Sequence, residues 1–272
     1  MKKLLSTLLS IVLILAMCNT AFAATPQSST TEVQASREYL AELYDIPTDV
    51  VNTLSPNIIS RLSQKANGAQ SISSNDTYIK VTYNKDGSST SRIATYQEYL
   101  SESSLRDTDE NSWMRIHTTI VDKGSHATVS AAYTWLTRPA FRMRDVIGLS
   151  LTQGTFMDNT ADGFYTYTTS QGSFTTDFSD TPGEFSYQGH GIVRNVTLSK
   201  PNNPVATDYL FLSADIHKEA NSEGLNGTYG HQRASISIVP SFTIDRTGWL
   251  SCVGLNVGMT YDQFSGYTDT KW

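Results

Sequence analysis

The stretch WMRIHTTIVDKGSHATVSAAYTWL, residues 113–136, reads as two β-strands joined by one tight turn. Val129, Ala131, Tyr133 and Trp135 recur at every second position and share one face of a pleated strand; a helix would space its apolar residues three and four apart. Asp122-Lys123-Gly124-Ser125 supplies the small, flexible residues of a hairpin turn. The same signature recurs outward from this pair. Residues 78–83 alternate and meet Asn84-Lys85-Asp86-Gly87, and further strands are expected at 144–151, 164–169, 172–178, 191–198, 209–218, 228–244 and 249–262. No fixed-period repeat of a propeller or solenoid is present. The expected fold is all-β, an antiparallel two-sheet sandwich of jelly-roll type, with a closed barrel as the alternative.

Helical spacing is confined to the region before these strands. Tyr39, Leu40, Leu43 and Tyr44 form one stripe, and Asp45-Ile46-Pro47 ends it. Ser55 is placed to cap a second helix with Pro56 at its first position, Ile58, Ile59 and Leu62 on one side, and Gly68 as its stop. The Thr/Ser-rich stretch 24–34 is expected to lack order, and the Ser/Asn-rich stretch 70–76 reads as a linker. A narrow stripe followed by a linker predicts a separable appendage.

The first residues carry an export signal. Met1-Lys2-Lys3 is a positive start, residues 4–17 an apolar run, and Ala21-Phe22-Ala23 a small-x-small cleavage site ahead of Ala24. The run is too short to span about 30 Å of hydrocarbon, which takes roughly 20 residues. Met17 precedes Cys18 where a lipoprotein box needs a small residue, so no stable membrane anchor is expected. Cleavage would remove Cys18 and leave Cys252 alone, excluding an intramolecular disulfide. A secreted chain held by its core alone suits a bacterial exporter. The expected organisation is a signal peptide over 1–23, a polar leader, helical segment and linker over 24–75, and a β-sandwich over 76–272.

The 272-residue chain has a net charge of −6, which argues against nucleic acid as a partner. Charged residues make up only 17%, beside 14 tyrosines and 17 glycines, the usage of a half-buried, extracellular β-protein. No G-x-S-x-G, S-x-x-K, H-E-x-x-H, P-loop or G-x-G-x-x-G occurs. Cys252 in a β-run reads as a small hydrophobe.

One constellation follows from strand period. If 209–218 and the strand from Thr228 pair as a hairpin, then Leu210, Leu212, Ala214 and Ile216 face the core with Ala234, Ile236 and Ile238. Asp215, His217, His231 and Arg233 then share the outer face. The favoured reading is a solvated ladder with Asp215 opposite Arg233; the alternative is a divalent metal on Asp215, His217 and His231, or acid–base work by a His–Asp pair. No cofactor is expected. Asp158-Asn159-Thr160-Ala161-Asp162-Gly163 and Asp107-Thr108-Asp109-Glu110-Asn111 have the oxygen spacing of incomplete calcium loops and read first as turns, with structural calcium as the alternative.

Tyr165 and Tyr167 lie on one face of a short strand, and Tyr261, Phe264, Tyr267 and Trp272 crowd the C-terminal tail. Flat rings with polar tips on a rigid sheet stack on sugars, and core packing accounts for most of these residues equally well. The function expected is therefore a secreted, non-catalytic binding module for extracellular polysaccharide or another cell-wall component. The alternatives are a secreted hydrolase with a His/Asp site and a pore-forming or antagonistic toxin-like protein, for which 253–261 would be the inserting strand. Intact-mass measurement of protein from the culture medium should find a chain that begins at Ala24; a mass with diacylglycerol on Cys18 would overturn the signal reading.

Overall fold

A computed structural model describes residues 30–84, 88–103, 111–179, 185–188, 190–233, 241–252 and 257–272. The chain falls into two units, Met1–Ala35 and Ser36–Trp272. Within the first, only the start of helix α1 (Thr30–Tyr44) is described, and it begins inside the stretch expected to lack order. The signal segment 1–23, Asp107 to Glu110 of the second acidic stretch, the core-face positions Ala234, Ile236 and Ile238, and Val253 and Leu255 lie outside the described residues.

After α1 come α2 (Thr48–Val51) and α3 (Pro56–Ala66). The strands are β1 (Ser71–Tyr83), β2 (Ser89–Ala94), β3 (Asn111–Asp122), β4 (His126–Trp135), β5 (Arg144–Leu151), β6 (Thr155–Phe156), β7 (Asp162–Thr169), β8 (Gly172–Asp177), β9 (Ser186–Gln188), β10 (Gly191–Thr197), β11 (Val205–His217), β12 (Ser222–Gln232), β13 (Phe242–Ile244), β14 (Leu250–Cys252) and β15 (Tyr261–Lys271). Helix α4 (Tyr96–Ser103) follows β2, and α5 (Val257–Thr260) precedes β15. One sheet runs β2-β1-β3-β4-β11-β7-β8 with β6 beside β11; the second runs β15-β12-β5-β10-β9; β13 and β14 form a hairpin of their own. All these pairings are antiparallel. The two-sheet sandwich is as expected. Jelly-roll connectivity is not confirmed, because the first four strands stay within one sheet.

Alternation dictates which side chains fill the interior. Val129, Ala131, Tyr133 and Trp135 of β4 and Leu210, Leu212, Ala214 and Ile216 of β11 meet Ile147, Leu149, Leu225 and Tyr229 of the second sheet. The first sheet is buried on its other face too. Val121, Ala132, Phe164, Tyr209 and Phe211 pack under Leu40, Tyr44, Val50, Leu54, Ile58 and Leu62 of the helical segment, and the Tyr209 hydroxyl donates to the Tyr44 carbonyl at 3.2 Å. Ser55 accepts from the Ile58 amide at 3.3 Å with Pro56 at the first helical position, as its sequence predicts. Asp45 ends α1 in the left-handed region at φ 51°. On the far side of the second sheet, Phe242, Ile244, Leu250, Val257 and Tyr261 cover Val146 and Val193. The unit Ser36–Trp272 is thus built in four layers.

Three expectations change. Residues 71–76 are no linker; they form the first half of β1, paired from Ser71 opposite Asp122 to Asp76 opposite His117. Their polarity reflects exposure. The run 249–262 is not one strand, because α5 interrupts it, and Val257 and Tyr261, four residues apart, reach the same cluster. Finally, β11 and β12 belong to different sheets, so the expected hairpin between them does not form. The glycines of 224–230 are strand positions at a close approach. A Cβ on Gly227 would lie 2.7 Å from the Ala131 Cβ, and one on Gly266 2.9 Å from Ile116 Cγ2.

The helical segment shares a core with the sheet, and deleting it would bare a row of aromatic and aliphatic side chains. A variant lacking residues 24–75 should therefore lose its cooperative thermal transition, whereas an unchanged transition would show that the helices are dispensable. Phe211→Ala, which empties the centre of that contact, should cost about 3–5 kcal/mol in denaturant unfolding.

Candidate functional site

The outward constellation expected from a β11/β12 hairpin is dispersed. Asp215 and His217 do point outward from β11, but His231 and Tyr229 point into the sandwich from β12, and His231 is 0% exposed. Asp215 meets α3 instead of Arg233: its carboxylate accepts from the Thr128 hydroxyl at 2.6 Å and lies 3.6 Å from Lys65 Nζ. Arg233 pairs with Asp262 at 3.1 Å. His217 lies directly opposite His126 on β4.

His231 belongs to a buried chain of polar groups. Its Nδ1 lies 3.0 Å from Asp145 Oδ2, which also accepts from the Tyr229 hydroxyl. The Trp135 indole donates to the Tyr229 oxygen at 3.0 Å, and the Gln232 amide donates to Asp145 Oδ1 at 2.9 Å. Burial pushes the Tyr229 phenol far up, keeping it a donor. Asp145 and His231 are both wholly enclosed, so the pair has no route to a substrate. It pins three strands.

Tyr165 is likewise interior, at 2% exposure. Its hydroxyl donates to Asp208 Oδ1 at 2.6 Å, and Arg142 closes the group with bonds to both Asp208 oxygens and to the Ser199 carbonyl. The expected Tyr165/Tyr167 platform therefore reduces to Tyr167, which stacks on Phe174 at 5.1 Å. Phe264 is buried in the sandwich, and Tyr261 under the outer hairpin.

A cavity of about 670 Å³ lies between α3 and the outer face of the first sheet, lined by Arg61, Lys65, Asp162, Tyr187 and Asp215 among others. It includes the acidic loop from Asn159 to Asp162. The oxygens of that loop already hold protein cations: Lys65 Nζ donates to the Thr160 carbonyl at 2.9 Å, and Arg61 Nε to Asp162 at 2.9 Å. Burial lowers the Lys65 ammonium, partly offset by Asp215 and Asp162. Arg61 also donates to both Asp177 oxygens, at 2.7 and 2.8 Å. These contacts strap α3 to the sheet.

The outer face of β1 and β3 carries the features that sequence reasoning missed. Cross-strand pairing sets Asp76 opposite His117, Tyr78 opposite Arg115 and Lys80 opposite Trp113. Helix α4 adds Tyr96 and Tyr99. Tyr78 lies 5.3 Å from Tyr96 and 6.0 Å from Tyr99, near parallel to the latter, and Tyr99 meets Trp113 edge-on at 5.6 Å. Tyr96 is 49% exposed. Burial raises the Tyr78 phenol, while the Arg115 guanidinium hydrogen-bonded to it opposes the rise. Arg115 reaches on to Asp45 at the end of α1. Asp45, Asp76 and His117 bring ligand-type atoms within 4.8 Å of one another, yet Arg115 against Asp45 supplies the charge that a cation would. The signal available in sequence was Tyr96-x-x-Tyr99, whose spacing places both rings on one side of a short helix.

No family model matches the chain, and no curated protein matches it. Among solved structures, it is similar to the collagen-binding domain of the Erysipelothrix rhusiopathiae surface protein RspB at 7% identity and TM-score 0.27, over 60% of this chain and 66% of that one. A structure described as manganese lipoxygenase of Gaeumannomyces graminis with partial zonadhesin of Komagataella pastoris matches 76% of this chain and 82% of its own at 7% identity and TM-score 0.30. A pore-forming protein matches 74% and 91% at 8% identity and TM-score 0.26. Among the described residues, no helix is long and apolar enough to cross a membrane.

The Arg61 strap has a pH signature. Burial alone would raise the Asp177 carboxyl, but the bonds from Arg61 and Ser179 outweigh it and hold the group below the ordinary carboxylate range. A carboxyl depressed on folding adds stability that is complete above its unfolded pKa, about 4, and fades as pH falls through the lower folded value. Asp177→Asn should therefore cost about 1 kcal/mol at pH 7. That difference should shrink as pH falls below the ordinary carboxylate range in denaturant melts, and a constant difference would show that the charge does not matter.

Proposed function

We propose that this chain is an extracellular, non-catalytic binding module whose ligand is a carbohydrate, held on the face made by Tyr78, Tyr96 and Tyr99. One observation carries the reading: three tyrosine rings within 5.3 to 6.2 Å of one another stand on a strand and a short helix with Tyr96 half exposed. Tyrosine offers a flat apolar face at small entropic cost and a hydroxyl at the rim, which suits the alternating apolar and polar surfaces of a pyranose. Trp113 beneath Tyr99 and Arg115 on the Tyr78 hydroxyl hold the rings in place before any ligand arrives. Asp76 and Arg115 beside the rings supply an acceptor and donors for sugar hydroxyls. The export signal read in residues 1–23 supports an extracellular setting, and the enclosure of the Asp145/His231 pair supports a binding role over hydrolysis.

Retention on insoluble polysaccharides, measured by depletion and then by titration with soluble oligosaccharides, tests the proposal. Tyr96→Ala should weaken binding by about tenfold, the loss of about 1.4 kcal/mol, with the melting temperature unchanged. Equal binding by the variant, or no retention of the wild-type chain on any polysaccharide, would sink it.

A further inference from the structure

A second surface, which shares no residue with the tyrosine face, has a charge pattern of its own. A groove of about 670 Å³ runs along the ends of β5 and β10, lined by Arg142, Met143, Arg144, residues 197–200 and Gln232. Three of its side chains are cationic and none is acidic. They are not equivalent. Arg142 is neutralised by Asp208, to which it bonds in a fork, and the nearby Asp145 is sealed inside by Tyr229, His231 and the Gln232 amide. Arg144 and Lys200 have no carboxylate: among the described residues neither side chain makes a hydrogen bond or an ion pair, Arg144 being half-buried and Lys200 exposed. The half-buried cations Arg61, Lys65, Arg115 and Arg233 each have an acidic partner.

Two cations with no acidic partner among the described residues, over a neutralised floor, form a local positive field in a chain of net charge −6. The distant negative charges do not cancel it, because the screening length at physiological salt is about 8 Å. The fork between Arg142 and Asp208 and the bond from Arg142 to the Ser199 carbonyl fix the floor beneath them. The groove exceeds what a lone oxyanion fills and falls in the range of small-molecule sites, and the half-buried Met143 gives it an apolar patch.

We propose that this groove binds a sugar acid within an acidic polysaccharide, with Arg144 and Lys200 on the carboxylate and the ring over Met143. The proposal shares the carbohydrate class with the function above but stands on different residues, so the Tyr96→Ala result leaves it intact. Polygalacturonate is the probe, with its fully methyl-esterified form as the neutral control, titrated against the mature chain at 50 and 500 mM NaCl. The wild-type chain should bind the acid form and not the ester, and lose affinity at the higher salt. Arg144→Gln with Lys200→Gln should weaken binding by about tenfold or more at an unchanged melting temperature. Absence of binding, salt-independent binding, or an unaffected double variant would overturn the proposal. Competition by sodium galacturonate but not by equal sodium acetate supports a sugar acid; equal competition by both would identify a site for simple anions and overturn the assignment.

Discussion

Gly227 on β12 stands directly opposite Gly266 on β15, and side chains from β3 and β4 fill the space that their missing Cβ atoms would need. The spacing of the sheets at this corner is set by that absence. Glycine in a strand weakens it by conformational entropy and by the lost side chain, so the loss is offset by what close approach permits. Beside Gly227, Tyr229 reaches across to Tyr133 and Trp135 with ring centroids 5.6 and 5.8 Å away. A wider gap would leave those rings without partners.

From that packing follows the burial of polar groups at one end of the sandwich. Asp145, Asp208, Arg142 and His231 are removed from water, a cost of several kcal/mol per isolated ion. The cost is contained because Asp145 accepts from a phenol, an imidazole and an amide, and Asp208 from a guanidinium fork and a phenol. Such networks need several strands to be correctly registered at once. They favour one arrangement of the chain over its near alternatives.

The period of two was legible and told the truth about faces: residues 129, 131, 133 and 135 and residues 210, 212, 214 and 216 do line the interior. Helix punctuation at Ser55, Pro56 and Asp45 was equally readable. Period says nothing about which sheet a strand joins, and the misplacement of His231 came from that gap. The face of β12 that carries Leu225, Tyr229 and His231 turned inward because the first sheet packs against it. Tyr165 misled for a different reason, since a phenol suits a surface and suits a buried site with a waiting acceptor. The ring cluster around Tyr78 escaped notice because its members come from two strands and a helix that only the fold brings together.

Strand order also has a temporal side. β1 and β2 close as one hairpin and β3 and β4 as another, with β3 laid against β1 on the side away from β2, whereas β11 slots between β4 and β7 only once residues 205–217 have emerged. Tyr209 and Phe211 on that late strand form part of the floor on which the earliest helices rest. The first segment made is thus among the last to find its seat. A chain with so many distant pairings folds slowly, and until β11 arrives both the open flank of β4 and the apolar side of α3 stand exposed to solvent and to other chains.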